Sequence, residues 1–342
     1  MRDFSKVTNP VKSSLPHVSV VTPVYNGEPY LVECIESVLN QTYENWDYTI
    51  VNNCSTDRSL EIAQRYAEAD DRIRVVNNET FLGQVDNLNK AMSLMRDDAA
   101  YCKLVLADDW IFPRCLEEMV ALAEQHPRAG IVSSYRLDDR HVNCGGLPFP
   151  SRCVDGREIC RRSLMEGLFV FGSPNTLLYR KDVVKSRQPF YRDHRLHEDT
   201  LSCYEILETW DFGFVPQVLS FTRRQEVSVN ATHRNLDPHF RLSQLLVTAR
   251  FGPRFLTPEE NGVCFEHRRR EYYKFLARNI RRRRDGGFWD HHRKSLAEVG
   301  LLLEWRRVAY YNLRWLTSEL LRPLRLLAVA VGGALPGDRA HS

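Results

Sequence analysis

A chain of 342 residues, 43% hydrophobic and with a formal net charge of +3, can bury a full core, and it is too weakly basic to be a nucleic-acid binder on charge alone. Its nine cysteines are scattered and include no C-x-x-C pair, which excludes zinc ribbons and the disulfide frameworks of small secreted domains and fits reduced thiols in the cytoplasm. The polar opening MRDFSKVTNPVKSSLPH lacks the apolar core of a signal peptide, so residues 1–16 are expected to be a flexible tail.

From His17 onward, short β-branched runs alternate with segments of helical period. HVSVVT (17–22), WDYTIV (46–51), IRVVN (73–77), CKLVLA (102–107) and GIVSSY (130–135) have the length and bulk of buried strands. Apolar residues recur at three and four in 30–39, 60–67 and 85–92, as on helix faces, and Ser55 or Thr56 is placed to cap the second of these helices. The alternation predicts an α/β domain with a mainly parallel sheet, completed by apolar runs at 176–179 and 215–221. Such sheets bind ligands in the crevice beyond the carboxyl ends of their strands, where TPVYNG (22–27), NNCSTD (52–57) and ADDW (107–110) fall.

Asp108 and Asp109 carry two negative charges to that crevice. They read either as caps for a following helix or as hard oxygen ligands for magnesium or manganese against a diphosphate. Glu198 and Asp199 in HEDTL likewise read as an acidic helix start or as a catalytic carboxylate. His194 and His197 lack a matching pair and read as substrate-side or surface groups.

VSVVTPVYNGEPYL, the SVLNQTY helix end, the STD helix start, ADDW and HEDTL, in that order, resemble the family 2 glycosyltransferases of the GT-A fold over residues 17–228. The resemblance implies a nucleotide-diphospho-sugar transferase fold at 17–231, with 17–110 as nucleotide-binding half and 111–231 as acceptor half. It implies that Thr22 and Tyr25 line the nucleotide pocket, Asn53 meets the base, Asp108 contacts ribose or sugar, Asp109 holds Mg2+ or Mn2+, and Asp199 is the base, with Glu198 beside it. Asn89 and Arg223 join the donor site on the same ground, Arg223 or Arg224 offering a guanidinium to phosphate. The implied activity is inverting, metal-dependent transfer of a sugar from a nucleotide donor to a hydroxyl of a glycan or lipid-linked acceptor in polysaccharide or lipopolysaccharide assembly. Asn52, Asn53 and Gln225 stand where relatives often carry aspartate or histidine, which leaves a catalytically weak glycan-binding or scaffold protein as the alternative. The absence of G-x-G-x-x-G after the first strand argues against a dinucleotide oxidoreductase, and the absence of Q-x-x-R-W argues against a processive synthase.

Residues 232–342 form a mainly helical, basic and amphipathic extension. The arginines of 268–270 and 281–284 read as a solvated helix face, with no nucleic-acid partner expected. In 316–336, leucines alternate with Arg322 and Arg325, as in a helix docked peripherally on the inner membrane, with packing on protein as the other reading.

Overall fold

The computed structural model describes residues 15–192, 198–223, 236–237 and 240–320, and the chain divides into two compact units, residues 1–226 and 227–342. In the first unit the elements are Val18–Val24 (β1), Leu31–Leu39 (α1), Trp46–Asn52 (β2), Ser59–Ala69 (α2), Ile73–Asn77 (β3), Gln84–Ser93 (α3), Tyr101–Leu104 (β4), Trp110–Ile111 (β5) and Cys115–Gln125 (α4). Ala129–Asp138 (β6), His141–Asn143 (β7), Cys153–Val154 (β8), Gly156–Glu166 (α5), Leu178–Arg180 (β9), Lys181–Lys185 (α6), Glu198–Ile206 (α7) and Asp211–Thr222 (β10) complete it.

The sheet runs β3-β2-β1-β4-β9-β6-β10-β5, with β7 on β6 and β8 on β10. Its first four strands are parallel, so Val24, Asn52 and Asn77 end at one edge, and Val18 of β1 is level with Trp46 and Tyr101. Every residue of β2 and β4 is buried, as expected of strands covered on both faces. β9 is inserted antiparallel between β4 and β6, and β5 pairs antiparallel with β10, so the sheet is mixed beyond β4.

Several local expectations are corrected. The strand expected at 102–107 stops at Leu104, because the chain then turns to bring Trp110 into β5. Of the run at 176–179, Thr176 closes a 3-10 turn over Pro174–Thr176 and the strand begins at Leu178. Neither Ser55 nor Thr56 caps α2. Asp57 Oδ1 accepts from the Ser59 N–H, while Ser55 and Thr56 bind Asn26.

The second unit contains Arg241–Phe255 (α8), Pro258–Arg281 (α9), Gly286–Ala297 (α10) and Trp305–Leu320 (α11), packed about Leu242, Leu245, Tyr272, Leu276, Phe288 and Val308. α9 begins where the sequence is built for it: Thr257 and Glu260 cap each other's backbone N–H groups and Pro258 occupies the first turn. Several of its arginines hold neighbouring helices. Arg268 reaches Gln244, and Arg281 reaches Asn312 while lying over the Trp315 ring. No described helix is long and apolar enough to cross a membrane. His194, His197, Arg224, Gln225 and the 321–336 run lie outside the described residues.

Candidate active site

The acid pair is positioned by the two-residue strand β5. After β4 the Val105 N–H still bonds the Val21 carbonyl of β1, and the Asp109 N–H then closes a turn onto the Leu106 carbonyl. Trp110 pairs with Phe221 across β5 and β10, so the residue before Trp110 meets the residues after Phe221. Asp109 accepts from the Thr222 hydroxyl at 3.1 Å and from the Arg223 backbone N–H at 2.9 Å. The helix-capping reading of Asp108 and Asp109 is excluded by position. α4 begins only at Cys115, behind Arg114, with Glu117 and Glu118 in its first turn.

Asp109 is 2% exposed, and Asp108 is partly buried. Burial pushes both carboxyls above the ordinary range, that of Asp109 to about 8 with Asp108 adding repulsion, while Arg223 acts on Asp108 in the opposite direction. The Arg223 guanidinium lies 4.3 Å from the Tyr30 ring centroid and 5.3 Å from that of Trp110. It donates to the Asp108 carbonyl and pairs with Glu33 of α1.

At the ends of β2 and β3 the structure builds an amide network. Asn53, 2% exposed, donates to the Leu82 carbonyl at 2.9 Å, and its Oδ1 accepts from the Leu82 N–H and from Asn78, which also donates to Asn87. These bonds fix the loop that carries Phe81, whose ring meets Tyr25 edge-on at 4.9 Å. Both rings are more than half exposed, a platform on which a planar base can lie. Thr22 is fully buried and bonds the Tyr48 hydroxyl at 2.8 Å, so its side chain supports the floor of the strand end.

Asn89 is tied to Tyr191 by two bonds, its amide donating to the Tyr191 carbonyl and its Oδ1 accepting the Tyr191 N–H. Tyr191 and Tyr179 are in turn acted on by the charge of Asp199, at the start of α7, where Asp199 accepts from the Thr200 N–H. Asn87 and Asn89 of α3 therefore link the amide network to the surroundings of Asp199. The structure groups Asp108, Asp109 and Arg223 by direct contact, and Tyr25 and Asn53 about the 78–82 loop.

Sequence patterns do not reveal the supports. Lys103 is completely buried in β4 and donates to the carbonyls of Asn175 and Leu177, at 2.7 and 3.2 Å; burial lowers its pKa. Asn175 donates in turn to the carbonyls of Trp110 and Phe221, the pair that flanks Asp109. The one visible signal is a lysine inside the apolar run CKLVLA.

Whether a divalent cation suits this place is a question of donor chemistry. Two adjacent carboxyls offer hard oxygens that a cation would bind in exchange for their protons, and each Asp109 oxygen keeps a lone pair beyond its hydrogen bond. Among the described residues no group of three or more His, Cys, Asp or Glu could hold a metal. The pair fits the type of site in which substrate phosphates and water complete the shell.

The family model of glycosyl transferase family 2 matches residues 19–185. The putative glycosyltransferase EpsE of Bacillus subtilis is 34% identical over 160 residues, an alignment covering 45% of this chain and 57% of EpsE, so the chain spans little more than half of that relative. Among solved structures, Staphylococcus aureus TarS 1–349 in complex with UDP-GlcNAc superposes with a TM-score of 0.62 at 17% identity, covering 83% of this chain and 80% of TarS 1–349. A mannosyltransferase from Pyrobaculum calidifontis in complex with GDP-Man and Mn2+ gives 0.50 at 15% identity, with 88% of each chain covered. At these identities the structural likeness establishes the GT-A fold alone.

Proposed function

The chain carries a glycosyl transferase family 2 domain over residues 19–185, and from that premise we propose that it transfers a sugar, with inversion and with metal dependence, from a nucleotide-diphosphate donor to a hydroxyl of a glycan or lipid-linked acceptor in polysaccharide assembly. The observation that carries this reading is the acid pair of partly buried Asp108 and buried Asp109, brought against Arg223 by the β5 and β10 pairing.

Asp109, with Asp108 beside it, would hold Mg2+ or Mn2+, which when bound would neutralise charge on the leaving diphosphate. The donor base lies on Tyr25 and Phe81, above the strand end that Thr22 supports and the loop that Asn53 anchors. Arg223 exchanges its bond to Glu33 for a donor phosphate, which its forked N–H groups suit. Asp199, beside Glu198 at the start of α7 and accepting from the Thr200 N–H, takes the proton of the incoming hydroxyl. A single displacement with one base inverts the anomeric centre and needs no nucleophile from the protein.

A panel of UDP, GDP, TDP and CMP sugars with Mn2+ identifies the donor by thermal shift, since a ligand of the folded state raises its apparent stability. With that donor, Asp199→Asn is expected to lower kcat by about 10²–10⁴-fold, the usual worth of a general base, with donor affinity kept. An unchanged kcat in Asp199→Asn removes the assignment of the base, and failure of every donor to bind removes the transferase reading of the site.

A further inference from the structure

The second unit presents an apolar stripe bordered by arginine. Leu302, in the loop before α11, is 80% exposed, and Trp305, Leu313 and Leu316 are 53%, 62% and 43% exposed. On a helix turning about 100° per residue, Trp305, Ala309, Leu313 and Leu316 fall within roughly a quarter-turn, and Arg306, Tyr310 and Arg314 occupy the next. The packed side adjoins the stripe at Trp305, whose ring meets that of Trp289 at 4.9 Å: Val308 is fully buried, and Arg281 bonds Asn312 and lies 3.7 Å from the ring centroid of Trp315, which is itself 39% exposed.

Positive charge collects at one border of the stripe. Arg269, Arg306 and Arg307 converge on Glu304 at 3.8, 3.3 and 3.0 Å. Glu266 also pairs with Arg269, so three guanidiniums face two carboxylates. Arg306 and Glu304 line two neighbouring hollows of about 280 and 320 Å3, one walled by Tyr310 and Tyr311 and the other by Tyr273 and Leu302.

We propose that this face docks on an anionic lipid bilayer. Trp305 and Tyr310 have the amphipathic rings that settle at headgroup depth, the leucines enter the acyl boundary, and Arg306 and Arg314 meet lipid phosphates. At 16 residues, with arginines on its flank, α11 lies in the plane of the surface, because spanning takes about 20 apolar residues. The sequence after it, LRPLRLLAVAV at 321–331, continues the same pairing of leucine with arginine. A protein partner for this face would answer the arginines with acids and be indifferent to lipid charge. The inference stands apart from the transfer reading, since binding to vesicles requires no catalysis.

Flotation of the full chain with phosphatidylcholine vesicles, with and without phosphatidylglycerol, tests it. The chain is expected to float with the phosphatidylglycerol vesicles and to be released as salt screens the arginines. Leu313→Asp with Leu316→Asp, and separately Arg306→Glu with Arg314→Glu, are each expected to lower partitioning by about tenfold or more. Arg306 has an 85% exposed side chain, so the arginine pair keeps its helical circular dichroism even if the leucine pair does not. Wild-type protein that stays with the buffer overturns the proposal, as do arginine variants that float like wild type. Loss of self-association in sedimentation, with flotation unchanged, also overturns it and assigns the face to a second copy of the chain.

Discussion

Asp109 is buried in a form that resists ionisation, and this sets a pH signature. Its carboxyl pKa is about 8 in the folded chain, against about 4 when unfolded. Between those values the unfolded state sheds a proton that the folded state keeps, so stability falls as pH rises from about 4 to about 8. With EDTA present, a thermal-shift series over that window is expected to show the decline in wild type and a flatter profile in Asp109→Asn. Mn2+ at pH 8 is expected to raise the melting temperature of wild type and leave that of Asp109→Asn almost unmoved. A residue beside an apolar strand can be recognised from sequence, as Asp109 is. Its partners cannot, because Thr222 and Arg223 are 113 and 114 residues away and arrive only through a two-residue strand. Asn53 illustrates the same limit. Its amide type is visible, but its engagement with the Leu82 backbone depends on how a distant loop closes.

At the level of elements, the strands with both faces covered are legible because β-branched and aromatic residues crowd WDYTIV and HVSVVT with no glycine or proline among them, even though Ser19, Asp47 and Thr49 are polar. β5, β7 and β8, at two or three residues each, offer no period to read, and β9 has nothing in its composition to announce that it runs antiparallel. Capping is similarly local in sequence and non-local in fact. Asp57 binds the Glu28 and Ser59 N–H groups at once, so its orientation is set as much by the turn after β1 as by α2. α5 gives a sharp test of element packing. Gly156, in its first turn, lies so close to the chain after α7 that an added Cβ would sit 1.9 Å from the Trp210 carbonyl oxygen and 2.5 Å from that of Leu207. Gly156→Ala is expected to cost about 3 kcal/mol or more, read as a lowered urea midpoint with an unchanged slope.

For the whole molecule, each compact unit has its own core, one built on the sheet and one on four helices. The family match covers residues 19–185 and lies wholly in the first unit. Calorimetry is therefore expected to resolve two transitions, and a bound nucleotide sugar with Mn2+ is expected to raise only the one belonging to the unit that carries Asp109. A single transition that moves as a whole would mean that the two cores unfold cooperatively. The change in composition after the sheet is visible in sequence as a rise in arginine and aromatic residues. The packing of the helices is less so, because buried His292, hydrogen-bonded to Tyr272 and neutral through burial, takes the place of an apolar core residue.

Seven of the nine thiols are buried; only Cys54 and Cys153 are partly exposed. Cys54 follows Asn53 directly and donates to the Asn78 carbonyl, beside the loop that carries Phe81. The protein thus holds a native labelling point at the edge of the aromatic platform: a maleimide fluorophore there would be shielded by an occupying nucleotide, while Cys153 in the same molecule would serve as the internal reference for how fast an unshielded sulfur reacts.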